Sequence, residues 1–196
     1  LPRRVFMRKN ILVTGKQGFI GKKIIGGTAF HGNLENYDSL FEQTDGICGI
    51  VHLAAKSNRR RCEDDPKACI VGNLLGTYNI LEVALRRKLW VLFVSSFQVR
   101  ERNLYGLSKL VGEELCRIYQ RRGVNVRIVR LPIVYGPGDR TDKVVTKIAN
   151  SLKAGLNPEI KTDDKFYFVY VDDVAKIIES EVSVLNKGFG KQYTLI

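Results

Sequence analysis

The stretch Asn10–Gly21, NILVTGKQGFIG, decides the fold. Ile11 to Thr14 run into Gly15 without polar alternation, the pattern of a strand buried on both faces of a parallel sheet. Gly15, Gly18 and Gly21 then fall at steps of three. Such a loop turns tightly at Gly15, lets backbone approach a bound group at Gly18, and lets the next segment pack close to the sheet at Gly21. Free N–H groups at a helix start attract anions, so the loop points to a phosphate or dinucleotide site that also takes in Gln17, Phe19 and Ile20. A helix is expected over Phe19–Phe30. A dinucleotide site expects an acidic residue roughly 20 residues on, at the end of a second strand, to hold a ribose. Glu35 and Asp38 are acidic, but no second strand is legible ahead of them.

Outward from this loop the same alternation continues. Apolar runs predict strands at Ile47–Ala54, Trp90–Val94, Val124–Leu131, Phe166–Val171 and Gln192–Ile196. Helical periodicity predicts Asp65–Leu89, Leu104–Arg121, Val144–Leu152 and a helix from Asp172 through Ser180. Pro66 suits a first helical turn, and Gly123 after two arginines suits a helix end. Alternating strands and helices give an α/β domain with a mostly parallel sheet and helices on both faces. The expected division is a nucleotide-binding core over 8–135, a substrate-side segment over 136–171, and a return to the core over 172–196.

Composition removes other classes. The 196 residues carry 32 Lys and Arg against 20 Asp and Glu, a formal charge of +12. The excess is spread along the chain and fits a polyanionic partner: nucleic acid, an acidic surface or a phosphate-rich small molecule. No run of about 18 consecutive apolar residues is present, so no membrane span is expected. The opening LPRRVFMRKN has no apolar targeting core, and Met7 reads as a natural start. His31 and His52 are too few for a histidine-rich site, and no metal is expected. Cys48, Cys62, Cys69 and Cys116 lack zinc spacing and point to a reducing, cytoplasmic compartment.

A second constellation carries chemistry. The third strand ends at Ser95-Ser96, and Tyr105 and Lys109 lie four apart on one helical face. A tyrosine with a pKa near 10 is a poor base at neutral pH. A neighbouring ammonium favours the phenolate and makes proton transfer feasible, while a serine hydroxyl can orient a substrate oxygen.

Taken in order, TGKQGFIG, VHLAAKS, GNLLGTYNILEVA, FVSS, YGLSKLVGE, RLPIVYGPGDR and FVYVDDVA resemble the extended short-chain dehydrogenases/reductases. More narrowly, the chain resembles the NAD-dependent epimerase/dehydratase family that acts on nucleotide sugars. The resemblance implies a Rossmann-like fold with a small or incomplete substrate-binding region and NAD or NADP as cofactor. By it, Gly15, Gly18 and Gly21 take the pyrophosphate. Leu53, Ala54, Ala55, Lys56, Asn73 and Ser95 border the cofactor, as do Pro132 and Val134. Tyr105 is the acid/base, Lys109 bonds the nicotinamide ribose and lowers the tyrosine pKa, and Ser96 hydrogen-bonds substrate. Phe97 and Arg140 fall on the substrate side; Arg59, Arg60, Arg61, Arg100 and Arg102 could help bind a substrate pyrophosphate, with a solvated surface the preferred reading for Arg59–Arg61. His52, Arg130 and the Asp172-Asp173 pair read as structural.

The family's dehydratases place a carboxylate pair after the serine. Phe97-Gln98 stands here instead, which favours an epimerase or reductase. Three segments are short for the family: Gly21 to His52, Ser96 to Tyr105, and the chain after Ser180. Either the enzyme is reduced, with an open substrate side, or mobile loops are left out of the count. The abrupt join FQVRERNLYG favours the second. A non-catalytic cofactor- or nucleic-acid-binding member and a reductase of small carbonyl compounds are the alternatives. The basic stripe lacks the interleaved aromatics that stack single-stranded bases, which makes nucleic acid the weaker partner. The resemblance also implies a homodimer packed through Pro66–Leu89 and Leu104–Arg121, with Leu107, Leu110, Val111 and Leu115 as the apolar face.

Overall fold

The computed structural model describes residues 7–57, 59–158, 166–188 and 193–195. The main sheet has six parallel strands: β1 (Met7–Thr14), β2 (Gly26–Ala29), β3 (Gly49–His52), β4 (Trp90–Ser96), β5 (Val126–Leu131) and β8 (Tyr193–Leu195). Their order is β2-β1-β3-β4-β5-β8. Side chains alternate between the faces, as the pleat requires. Leu12, Ile50, Val91, Phe93, Val126 and Ile128 point to one face, under α1 (Tyr37–Glu42), α4 (Gly76–Arg87) and α5 (Leu104–Arg121). Ile11, Val13, Val51, Leu92, Val94 and Val129 point to the other, under α7 (Val171–Asn186). A second, two-stranded sheet joins β6 (Ile133–Tyr135) to β7 (Phe168–Tyr170), beside α6 (Val144–Lys153).

The expected helix over Phe19–Phe30 does not form. A single 3₁₀ turn at Gly21–Lys23 is followed directly by β2, the strand that was not legible ahead of Glu35. Gly26 and Gly27 have φ of 82° and 69°, a left-handed backbone that ends any right-handed helix. Parallel strands normally need a crossover of a dozen or more residues. Here a short strap is held by side chains instead. Lys16 Nζ donates to the Ile24 and Gly26 carbonyls, both at 2.6 Å, and Lys23 pairs with Asp172 of α7 at 3.2 Å. The strand that would lie beyond β2 in the six-stranded nucleotide fold is absent among the described residues.

The stretch expected as one helix, Asp65–Leu89, contains α3 (Pro66–Ile70), a π-helical turn at Val71–Leu75, and α4. Asp65 caps it by accepting the Ala68 N–H at 3.0 Å. Pro66–Arg87 is long and apolar enough on average to cross a membrane, although no run of consecutive apolar residues is that long. It instead packs Ile80, Leu81, Val83 and Ala84 into the sheet core. The cysteine reading also needs correction. Cys62, on α2 (Arg59–Asp64), and Cys69 form a disulfide, while Cys116 is a buried thiol. The cysteines therefore give no argument for a reducing compartment. From Ser96 to Tyr105 the chain runs through a 3₁₀ turn at Phe97–Arg100.

Helix α5 has the bounds its periodicity predicts, and Asn103 caps it by accepting the Gly106 N–H at 2.8 Å. Its buried Glu113 accepts from Ser95 Oγ at 2.6 Å, and from Arg130 Nε and Nη2 at 2.7 and 2.6 Å. Burial alone would push this carboxyl up; the bonds from Arg130 and Ser95 outweigh it and hold the carboxyl below the usual range. Removing one partner of a buried pair leaves the other charge uncompensated, so Glu113→Ala is expected to cost about 3–5 kcal/mol in urea denaturation. A loss under about 1 kcal/mol, typical of an exposed pair, would contradict this role.

Candidate active site

Strands β1, β3, β4 and β5 end at one edge of the sheet, where a cleft of about 1110 Å³ opens. The glycine loop supplies Gly15, Gly18, Phe19, Ile20 and Gly21, and the turn after β3 supplies Leu53, Ala54 and Ala55. Ser95, Ser96 and Phe97 come from the end of β4, and Tyr105 and Lys109 from α5. Pro132, Val134 and Arg140 close the far side. The cleft thus gathers most of the residues singled out in the sequence. Gln17 is exposed and does not line it. Lys56 and Asn73 lie behind its wall: Asn73 Oδ1 accepts the Lys56 N–H at 2.7 Å, and Asn73 Nδ2 donates to Ser108 Oγ at 2.9 Å.

The loop geometry explains its glycines. Gly15 turns with φ 70°, and its carbonyl accepts the Gly18 N–H at 2.9 Å. A Cβ on Gly21 would sit 2.2 Å from that same carbonyl oxygen, so any side chain there would break the loop.

A buried hydrogen-bond chain fixes the loop to the sheet. Thr77 Oγ1 donates to the Asn73 carbonyl at 2.6 Å, so it accepts from His52 Nε2 at 3.1 Å. This assigns the proton to Nε2 and leaves Nδ1 to accept from Thr14 Oγ1 at 2.8 Å. Thr14 Oγ1 in turn accepts the Ala54 N–H at 3.2 Å. The Thr14 hydroxyl keeps an acceptor for its proton only while the imidazole is neutral. Burial, and then the Lys109 charge, lower the His52 pKa to about 3.

At the end of β4, Ser96 is hydrogen-bonded to Tyr105, whose phenol burial nevertheless pushes up to about 12. The expected lowering of that pKa by Lys109 is not found. The Lys109 ammonium donates to the Val94 carbonyl at 2.8 Å, and burial lowers its own pKa to about 8. Ser95 turns its hydroxyl to Glu113, and Arg140 turns its guanidinium to Asp142 at 2.9 Å. Phe97 meets Tyr167 edge-on, ring centroids 6.4 Å apart.

Arg59 and Arg60, for which the sequence favours a solvated surface over phosphate binding, line the cleft. Glu63, Lys147 and Tyr167, which were not singled out, line it as well. Glu113 could have been found: it stands eight residues after Tyr105 on the same helix face. The His52 chain gave no local signal, since Thr14 and Thr77 are ordinary β and helix residues by themselves.

The model of the NAD dependent epimerase/dehydratase family matches residues 25–182. The chain belongs to this family. Among curated family relatives it is similar to UDP-2-acetamido-2,6-beta-L-arabino-hexul-4-ose reductase of Pseudomonas aeruginosa, 28% identical over 180 residues. That match covers 85% of this chain and 47% of the reductase, so the chain spans about half its length. A putative UDP-glucose 4-epimerase of Methanocaldococcus jannaschii is 28% identical over 238 residues, covering 93% of this chain and 77% of that protein. Among solved structures, RMD from Pseudomonas aeruginosa complexed with NADPH superposes with a TM-score of 0.79 at 25% identity, covering 95% of this chain and 77% of that one.

The His52 chain predicts an acid-sensitive fold. His52 titrates near 6.5 when unfolded but only near 3 when folded, so between these values the unfolded chain binds the extra proton. Its stabilisation is complete above pH 6.5 and falls as pH drops toward 3, by about 1.4 kcal/mol per unit. In urea denaturation at pH 7, 5.5 and 4, the stability gap between the wild type and His52→Gln should narrow with acidity. A constant gap would contradict the assignment.

Proposed function

We propose that the chain binds NAD or NADP in this cleft and oxidises or reduces a carbon of a nucleotide sugar, as an epimerase or a reductase. The observation that carries the reading is the meeting of the glycine loop with Ser96, Tyr105 and Lys109 in one cleft. The cradle fits a dinucleotide: Gly21 leaves the loop backbone bare, and Gly15 and Gly18 lie at the cleft between β1 and β3. That is the place where nucleotides bind in sheets of this order. The relatives support the same class, one being a nucleotide-sugar reductase and one a structure with NADPH.

A bound nicotinamide would supply the hydride acceptor or donor. The chain's own groups handle the proton. Tyr105 gives or takes it at its hydroxyl, with Ser96 orienting the substrate oxygen beside it. Lys109 keeps donors beside its bond to the Val94 carbonyl with which to bond a ribose, and its ammonium close to the phenol would favour the phenolate. Phe97-Gln98 stands where the family's dehydratases place a carboxylate pair, which favours an epimerase or a reductase. Arg140 and the cleft arginines Arg59 and Arg60 would meet the substrate's phosphates.

We also propose a homodimer. Leu107, Leu110 and Ile118 of α5, Leu75 of the π turn and Tyr78 of α4 are exposed on one helical layer. Charging this face with Leu107→Asp and Ile118→Asp is expected to give a monomer by sedimentation. A monomeric wild type would end the proposal.

For the chemistry, both NADH and NADPH are titrated by fluorescence against the full chain. Binding of neither overturns the reading. Tyr105→Phe should lower kcat by about 10²-fold or more while leaving cofactor affinity within about twofold. Unchanged turnover would remove Tyr105 from its role.

A further inference from the structure

The disulfide lies in the wall of the cleft. Helix α2 has six residues, RRRCED, too few to be stable alone. Its one buried residue is Cys62, bonded to the buried Cys69 of α3. The helix nevertheless contributes Arg59, Arg60 and Glu63 to the cleft. Glu63 Oε1 also accepts the Leu104 N–H at 3.2 Å, one residue before Tyr105. On the inner side, Cys62 Sγ lies 3.5 Å from the Lys56 carbonyl and Cys69 Sγ 3.6 Å from Asn73 Nδ2. These are the residues whose hydrogen bonds fix the turn after β3. A single covalent bond therefore anchors a helix that faces the glycine loop on one side and the start of α5 on the other.

We propose that Cys62 and Cys69 are a thiol–disulfide exchange site that controls this wall. Oxidised, the pair holds α2 against the cleft; reduced by a dithiol, it releases α2 and weakens dinucleotide binding. The second half rests on the cofactor reading above. In the exchange, one thiolate of the dithiol attacks a protein sulfur, breaking the S–S bond and forming a mixed disulfide. The second thiolate then displaces the protein sulfur, and the reagent leaves as a cyclic disulfide. Two electrons pass to the protein, and its two thiolates take up the two protons that the dithiol lost. Both sulfurs are buried, so the reagent reaches them by local opening of α2, whose Arg59, Arg60, Arg61, Glu63 and Asp64 are all exposed.

The test uses the full chain, air-oxidised or treated with dithiothreitol, and a Cys62→Ser/Cys69→Ser variant. Alkylation and peptide mapping report the state of the pair. Hydrogen exchange reports α2, and fluorescence titration reports the NADH and NADPH dissociation constants. Reduction is expected to speed exchange across 59–64 and to raise the dissociation constant about tenfold, as a wall loses its preorganisation. The double variant should match the reduced form and ignore dithiothreitol. Free thiols at both positions in the oxidised protein would overturn the proposal. So would equal exchange in both forms, or a double variant that still responds. If neither form binds a dinucleotide, the cofactor reading and the binding half fall together. Faster α2 exchange on reduction would still support the exchange site.

Discussion

The carboxylate of Glu113 holds the Tyr105 side of the cleft in place. It sits fully buried between α5, β4 and β5, and takes Ser95 from one strand and Arg130 from the next. One turn earlier on the same helix, Lys109 reaches the Val94 carbonyl of β4. The helix that carries Tyr105 is thus docked onto the strand ends by charge-assisted bonds whose loss would strand an arginine in the interior. The other half of the cleft has a neutral counterpart. The His52 chain ties β1, β3 and the π turn of Asn73 through hydroxyls that each donate once and accept once. One half depends on a buried charge being paired, the other on a buried imidazole staying uncharged.

Between these two anchors the molecule manages with few elements. The strap from Gly15 to Ile25 replaces a crossover helix, and Lys16 satisfies the carbonyls that a helix would have paired within itself. That lysine is drawn below its ordinary pKa by burial, with Glu179 of α7 pulling the other way. The short strap leaves the glycine loop intact because Gly21 packs against Gly15 within the loop itself. A phosphate-binding turn needs its own backbone and the strand end beneath it, not a long helix behind it.

Much of this was legible because hydrophobic period and capping are local. Leu104–Arg121 shows its apolar spacing and its closing glycine in sequence, and the helix forms over those residues. β2 was hidden because Gly-Gly-Thr-Ala has neither apolar alternation nor bulk; it pairs with β1 only through backbone, with Thr28 opposite Leu12. The candidate site was legible as a set of motifs, but its wiring was not. Nothing in the spacing of Tyr105 and Lys109 reveals that the ammonium bonds Val94, because that carbonyl lies on another element.

By itself, the sequence determined the parallel α/β sheet, the glycine loop at its first strand, and the Tyr105–Lys109 pair on one helix face. Those follow from residue type at short range. Tertiary structure alone decided the rest. It joined Cys62 to Cys69, turned Arg140 to Asp142, and placed Arg59 and Arg60 on the cleft. It also set the proton on His52 Nε2, because that proton goes wherever the neighbouring hydroxyls, distant in sequence, leave room for it.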